Sequence, residues 1–265
     1  MRKLAWIFAL VSIFSLGTGF LVLASNNFVS NPGKIEIPIP VLPYQSIPMG
    51  EKLVYDISWI GVPVGTGELW VKEKTRLAGR EVLHVVGTVE TNGFVAAIYP
   101  VHDQMQSWID AQTFESVQFE KNGSHGVKRS HEVTTFDAEK KTGHFESFDT
   151  GMQETFEITP PAHDAISVFY WARRQPLVPG KPVNTVYSYK KIDHRLEIDA
   201  LRYERVRLHR RGGIDTILIT PITQAKGAPE KRGRAWMNVT ADSAQKPVQI
   251  TFKAPFGTVV GVLKN

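Results

Sequence analysis

The sequence predicts a mostly β protein: a large curved antiparallel sheet or partly open barrel wrapped around one main helix at residues 164–175. Strand-like stretches alternating apolar and polar residues recur at roughly 10-residue spacing from Glu51 onward, separated by Gly, Asn and Asp turn signals. Past the N-terminus, only His163 to Gln175 carries a convincing helical pattern, bracketed by Pro160-Pro161 and Pro176. Cysteine is absent, so no disulfide staples the fold and the core alone must hold it.

The N-terminus reads as an export signal. Arg2 and Lys3 precede an apolar run from Leu4 to Leu23, and Val22-Leu23-Ala24 offers cleavage positions. Residues 1–24 are therefore expected to be a signal peptide cut after Ala24. The alternative is an uncleaved inner-membrane anchor, since about 20 apolar residues also suffice for a span. Ser12, Ser15, Gly17, Thr18 and Gly19 dilute the run, however, and no basic stop-transfer cluster follows. Both readings export the body of the protein to the periplasmic side. Any membrane contact is then expected only through residues 1–24, if they are kept. Residues 25–50 contain Pro32, Pro38, Pro40, Pro43 and Pro48, which forbid helix and interrupt any ladder, so an extended arm is expected.

Residues 51–265 read as a single β-rich domain. Glu51–Ile60 alternates as a half-buried strand; Gly61 to Gly65 breaks it at a hairpin or sheet corner, and Gly67–Thr75 resumes. A Val-rich strand follows at 82–91. Asn92 to Pro100 lacks alternation and is expected to form a short helix or tight loop packed over the sheet. Further strands are expected at 102–109, 114–120, 127–136 and 144–148, with Asn122 to Gly126 as a Gly-rich hairpin turn. Asp164 is a candidate N-cap for the helix, and Arg173 and Arg174 sit where its last carbonyls concentrate negative charge. Ile166, Phe169 and Tyr170 share one helical face, widened by Val168, Trp171 and Ala172. A second run of strands follows at 183–189, 195–202, 206–209, 214–221, 234–240, 248–252 and 258–263. No residue-level repeat relates the two runs, which favours one continuous sheet over two domains.

The formal net charge of +5 falls to +3 without Arg2 and Lys3 and is scattered in sign. That is a solubilising surface, and no nucleic-acid partner is expected. The one basic cluster, Arg202 to Arg211, alternates with Tyr203, Val206 and Leu208 and reads as the wet face of a strand. Eight histidines show no closed ligand spacing and no H-E-x-x-H, so no metal and no cofactor is assigned. No G-x-S-x-G is present, and Ser124 beside His125 reads as a turn residue. Gly61 to Gly67 lacks the lysine of a phosphate loop. No catalytic residue is assigned, and a non-enzymatic function is favoured. What stands out is an aromatic surplus. Core packing accounts for most of it, yet a curved sheet that closes loosely on its helix leaves an apolar groove suited to an acyl chain. Trp59, Phe94, Tyr99, Trp108, Phe169 and Tyr170 are the candidate ligand-binding residues.

Tyr55 to Gly67, Thr91 to Phe94 with Tyr99-Pro100, Gln106 to Asp110, Phe119 to Lys121, Asp164 to Arg173, and Trp236 with Asp242, Pro247-Val248 and Gly257 to Val259 follow one another in an order that resembles the bacterial family catalogued as domain of unknown function 3108. The likeness runs from about residue 50 to 264. It departs where relatives read Asp-Pro at the helix start, this chain having Asp164-Ala165; proline at that turn is helpful but dispensable. The resemblance implies an exported, mostly β envelope protein with no established activity. Its architecture is similar to that of periplasmic lipoprotein carriers. Three functions stay open: a carrier of an apolar or lipid ligand, an interaction or scaffold protein that contacts an envelope partner through sheet edges or the Pro-rich arm, and a glycan or lipid hydrolase using Asp103, Asp110 or His102.

Overall fold

The computed structural model describes residues 47–189, 191–208, 212–225, 234–254 and 257–264. The expected leader and most of the Pro-rich arm lie outside them. The chain is mostly β, with one large antiparallel sheet and few helices. The strands are β1 (Lys52–Trp59), β2 (Val62–Leu77), β3 (Arg80–Thr91), β4 (Val101–Asp110), β5 (Ser116–His125), β6 (Lys128–Asp137), β7 (Thr142–Ser147), β8 (Met152–Glu157), β9 (Ala162–His163), β10 (Val183–Tyr189), β11 (Ile192–Leu208), β12 (Gly212–Ala225), β13 (Ala235–Thr240), β14 (Pro247–Ala254) and β15 (Gly257–Leu263). Helix α1 spans Gly93–Ile98 and helix α2 spans Ser167–Ala172.

All fifteen strands form one sheet, ordered β8 to β1 and then β15 to β9. The chain enters at the middle, meanders to the β8 edge, crosses to the opposite edge at β9 and meanders back until β15 pairs with β1. Among the described residues only β9 and β10 pair in parallel. The crossing from Glu157 to Ala162 is short enough to reach about 18 Å at most. The sheet therefore curls until its edges face each other. Side chains join them: Lys191 pairs with Glu154, and Thr159 N–H donates to Asp193 Oδ2 at 2.6 Å. No ladder joins β8 to β9 or β10 among the described residues.

Alternation explains the cores. Leu83 and Val85 of β3 and Met105 and Ile109 of β4 face inward and pack with Val71, Phe114, Ile166, Phe169 and Tyr170. A second cluster joins Leu196, Ile198 and Ala200 of β11 to Ile217, Ile219 and Val239, with Ala172 and Leu177 from the β9–β10 connection. Trp171 and Met237 touch both.

Several expectations need correction. The main helix is not 164–175 but six residues, with a rise of about 9 Å, too short to be an axle around which the sheet is wrapped. Asp164 Oδ1 accepts from the N–H groups of Ile166 and Ser167 at 2.6 and 2.9 Å, an Asx turn that delays the helix start. Helix α1 is found where expected, but none of its residues is buried, because it caps the end of β3 instead of lying over the sheet. Asn122 to His125 belong to β5, and the turn is at Gly126-Val127. The two strands expected at 195–202 and 206–209 are one, β11, bulged between Ala200 and Arg202. Strands β8 and β9 come as additions.

The meander sends the β1–β2, β3–β4, β5–β6, β7–β8 and β10–β11 turns to one end of the sheet and the β2–β3, β4–β5, β6–β7 and β13–β14 turns to the other. At the second end α2 is tied down by its own C-terminus: Arg173 donates to Ala244 O and Arg174 to Gln112 O. The first end carries eight of the ten large, exposed apolar side chains among the described residues, leaving only Met49 and Leu201 elsewhere.

Candidate functional site

The stripe of α2 formed by Ile166, Phe169 and Tyr170 is bulky and packs on β2 to β4. The neighbouring stripe, Ala165, Val168 and Ala172 at i, i+3 and i+7, is small and faces β11 to β13. Because alanine stops at Cβ, the space between helix and sheet is not filled. What remains is a cavity of about 240 Å³. Leu196 and Ile198 of β11, Ile219 of β12 and Met237 and Val239 of β13 form its floor, and Phe169 closes one side. Its rim is the half-buried set Tyr187, Pro221 and Thr223. Burial raises the Tyr187 phenol, and a hydrogen bond with Thr223 partly opposes this. The lining is overwhelmingly hydrocarbon, and its volume exceeds the ~150 Å³ of an apolar cavity that takes up benzene.

The helix over this cavity is fixed by two buried polar constellations. Glu51 and Arg173 form a bidentate pair, with Nη1–Oε2 at 2.5 Å and Nη2–Oε1 at 2.9 Å, and the guanidinium also donates to Ala244 O. Arg173 thus acts as a buried clamp to Glu51 and Ala244 instead of sitting beside the helix's last carbonyls as expected. Asp164 Oδ2 accepts from Ser107 Oγ at 2.6 Å and from Ser116 Oγ, while Oδ1 accepts from the N–H groups of Ile166 and Ser167 in the turn before the helix. Burial raises the Asp164 carboxyl, against the hydrogen bonds of Ser107, Ser116, Ser167 and Ile166 that hold it down.

His163 is fully buried, and its Nδ1 lies 3.0 Å from Phe114 O. A carbonyl only accepts, so Nδ1 carries a proton. Nε2 has no partner among the described residues. Burial pushes the imidazole down to about 4, partly opposed by the Phe114 hydrogen bond. A base lowered from 6.5 to about 4 stays neutral in the fold while the unfolded chain protonates, so stability falls as pH drops across that window. Unfolding titrations are expected to show wild type losing about 3 kcal/mol between pH 6.5 and 4 that His163→Gln does not lose. Taking this difference cancels the opposite trend of Asp164. Parallel curves for the two proteins would refute the buried neutral histidine.

The expected ligand residues are dispersed. Phe169 lines the cavity; Tyr170, on the opposite face of α2, is wholly buried in the first core, and burial raises its phenol. Trp108 stacks on His84 at 4.6 Å on the sheet face away from that core. Trp59 sits at the end of β1, its indole nitrogen buried beside Gly257 without a partner among the described residues. Phe94 is 79% exposed on α1, and Tyr99 lies over Gly126. The residues considered for hydrolysis do not converge. Asp103 is buried and holds His125 Nε2 at 2.7 Å, Asp110 accepts from Gln112 and Thr113 N–H in an exposed turn, and His102 pairs with Glu90. The aliphatic floor went unnoticed in the sequence, although the 196–198 and 217–219 alternation pointed to it. Among the described residues no cluster of three or more His, Asp or Glu has metal-binding geometry.

A family model described as "Protein of unknown function (DUF3108)" matches residues 54–264. No curated protein matches the chain. Among solved structures, the crystal structure of a beta-barrel-like protein of domain of unknown function DUF1849 from Brucella abortus is similar at a TM-score of 0.48 and 10% identity, covering 80% of this chain and 94% of that one.

Proposed function

This chain belongs to the DUF3108 family of proteins of unknown function, and on that premise we propose that it is a non-enzymatic binding or carrier module for an apolar, lipid-like ligand of the cell envelope. The cavity beside α2 is the observation that carries the reading: an unfilled hydrocarbon volume next to a clamped helix takes up an alkyl chain and removes part of its surface from water. Phe169 is the aromatic wall of that site. Trp59, Phe94, Tyr99, Trp108 and Tyr170 lie outside this cavity, and the proposed site does not use them. The apolar leader at 1–24 supports an exported, periplasmic location, with an inner-membrane anchor as its alternative.

Native mass spectrometry of protein purified from its own envelope, repeated after organic extraction, tests the reading. A stoichiometric adduct that extracts as a lipid is expected, and a clean apo mass would remove the carrier. The site is tested by Ala172→Leu, which fills the cavity from the helix side. It is expected to weaken binding of a dansyl-labelled fatty acid at least tenfold, with stability unchanged or raised by about 1 kcal/mol. Unaltered affinity would place the ligand elsewhere.

A further inference from the structure

The apolar end of the sheet is unlike the rest of the surface. Ile60, Phe94, Val127, Phe148 and Ile192 each project from a different turn, and Val127, at the tip of the β5–β6 hairpin, is 98% exposed. Lys128 and Arg129 follow it, both exposed, and neither pairs with an acid among the described residues. Four acids at this end have partners of their own. Glu90 holds His102 at 2.8 Å, Asp149 accepts from His131 N–H, Asp193 accepts from Ser188 Oγ and Thr159 N–H, and Glu154 holds Lys191. The tip is thus a hydrophobic residue beside two cations that pair with no acid among the described residues.

We propose that this end docks on a bilayer containing anionic lipid, Val127 and the neighbouring apolar tips entering the headgroup layer while Lys128 and Arg129 bind phosphate. A protein partner calls for a continuous, shape-matched patch with an apolar centre. Separate tips on five turns do not make one. A fluid interface needs no such match: each tip sinks independently, and cations beside it gain from the negative surface. This contact is additional to any made by residues 1–24, and it does not rest on the ligand cavity.

The chain has no cysteine, so Val127→Cys and Glu139→Cys each accept one environment-sensitive fluorophore. Glu139 is exposed in the β6–β7 turn at the other end, and the same label there controls for the dye's own affinity and for anchoring by the leader. Full-length protein is mixed with vesicles of one part phosphatidylglycerol to two of phosphatidylcholine. The label at 127 is expected to shift to the blue and become shielded from iodide, and the label at 139 to do neither. Lys128→Gln with Arg129→Gln is expected to lower vesicle partition of the 127-labelled protein about 30-fold, at roughly 1 kcal/mol per cation. A 127 label that stays open to iodide on added vesicles overturns the proposal. So does partition indifferent to the two cations, or a blue shift that appears without vesicles and grows with protein concentration, which would assign the tip to a second copy of the chain.

Discussion

Replacing Glu51 with Gln is expected to lower stability by about 3–5 kcal/mol, the cost of leaving one member of a buried ion pair without its counter-charge. Both side chains are almost completely buried, and the guanidinium's other partner, Ala244 O, is neutral. The pair joins three segments far apart in sequence: the residue before β1, the residue after α2 and the β13–β14 turn. Gln245 strengthens the junction by donating to Arg173 O at 3.0 Å and Gln175 O at 2.9 Å. For a domain of this size the loss corresponds to a melting temperature lower by about 10 °C. The double variant Glu51→Met with Arg173→Met separates charge from geometry. Removing both charges removes both desolvation costs, so most of the loss is expected to return, to within about 1–2 kcal/mol of wild type. A Glu51→Gln protein within 1 kcal/mol of wild type would mean that water reaches the pair.

The strands were legible where one face is buried and the other wet, because that pattern is the period-2 signal itself. β1, β3, β4, β10 and β15 fall within a few residues of their expected bounds. β8 escaped because Met152 to Glu157 is an edge strand with almost every residue exposed, so nothing alternates. Strand β11 read as two because its bulge at Leu201 shifts the apolar residues out of phase. Gly123 looked like a turn residue, but its missing Cβ serves a close approach: a methyl there would meet Asp103 Oδ1 at 2.9 Å and Ser130 Oγ at 2.6 Å. The helix was legible as apolar, but its start and length were not, because Asp164 builds an Asx turn ahead of it and Ile166, not Asp164, takes the N-cap position. A cavity is missing volume, set by which small side chains face each other across the core. Ala165 and Ala172 reveal it only once β11 to β13 are known to lie opposite. Arg173 and Glu51 are 122 residues apart, and neither differs in sequence from a solvated charge.

Asp164→Ala is expected to be more damaging than its size suggests, by at least about 4 kcal/mol, because it leaves four buried donors without an acceptor: two backbone N–H groups and two serine hydroxyls. Asp164→Asn keeps the shape and tests which of these donors matter. The asparagine oxygen can still accept from Ile166 and Ser167 N–H, while its NH₂ faces Ser107 and Ser116. A backbone N–H can only donate, but a hydroxyl rotates to accept. The amide therefore fits where a methyl does not, and a cost of about 1–2 kcal/mol is expected. The two variants should also separate with pH. Because burial raises the Asp164 carboxyl, the folded protein takes up a proton while the unfolded chain is still ionised, so its contribution grows as pH falls toward 3.8. The stability gap between wild type and Asp164→Asn should widen over that range, since the amide does not titrate. Chemical unfolding of the three proteins from neutral pH down to about pH 4 checks both expectations. If Asp164→Ala and Asp164→Asn are equally unstable, the carboxylate's charge, not its hydrogen bonding, holds the start of α2.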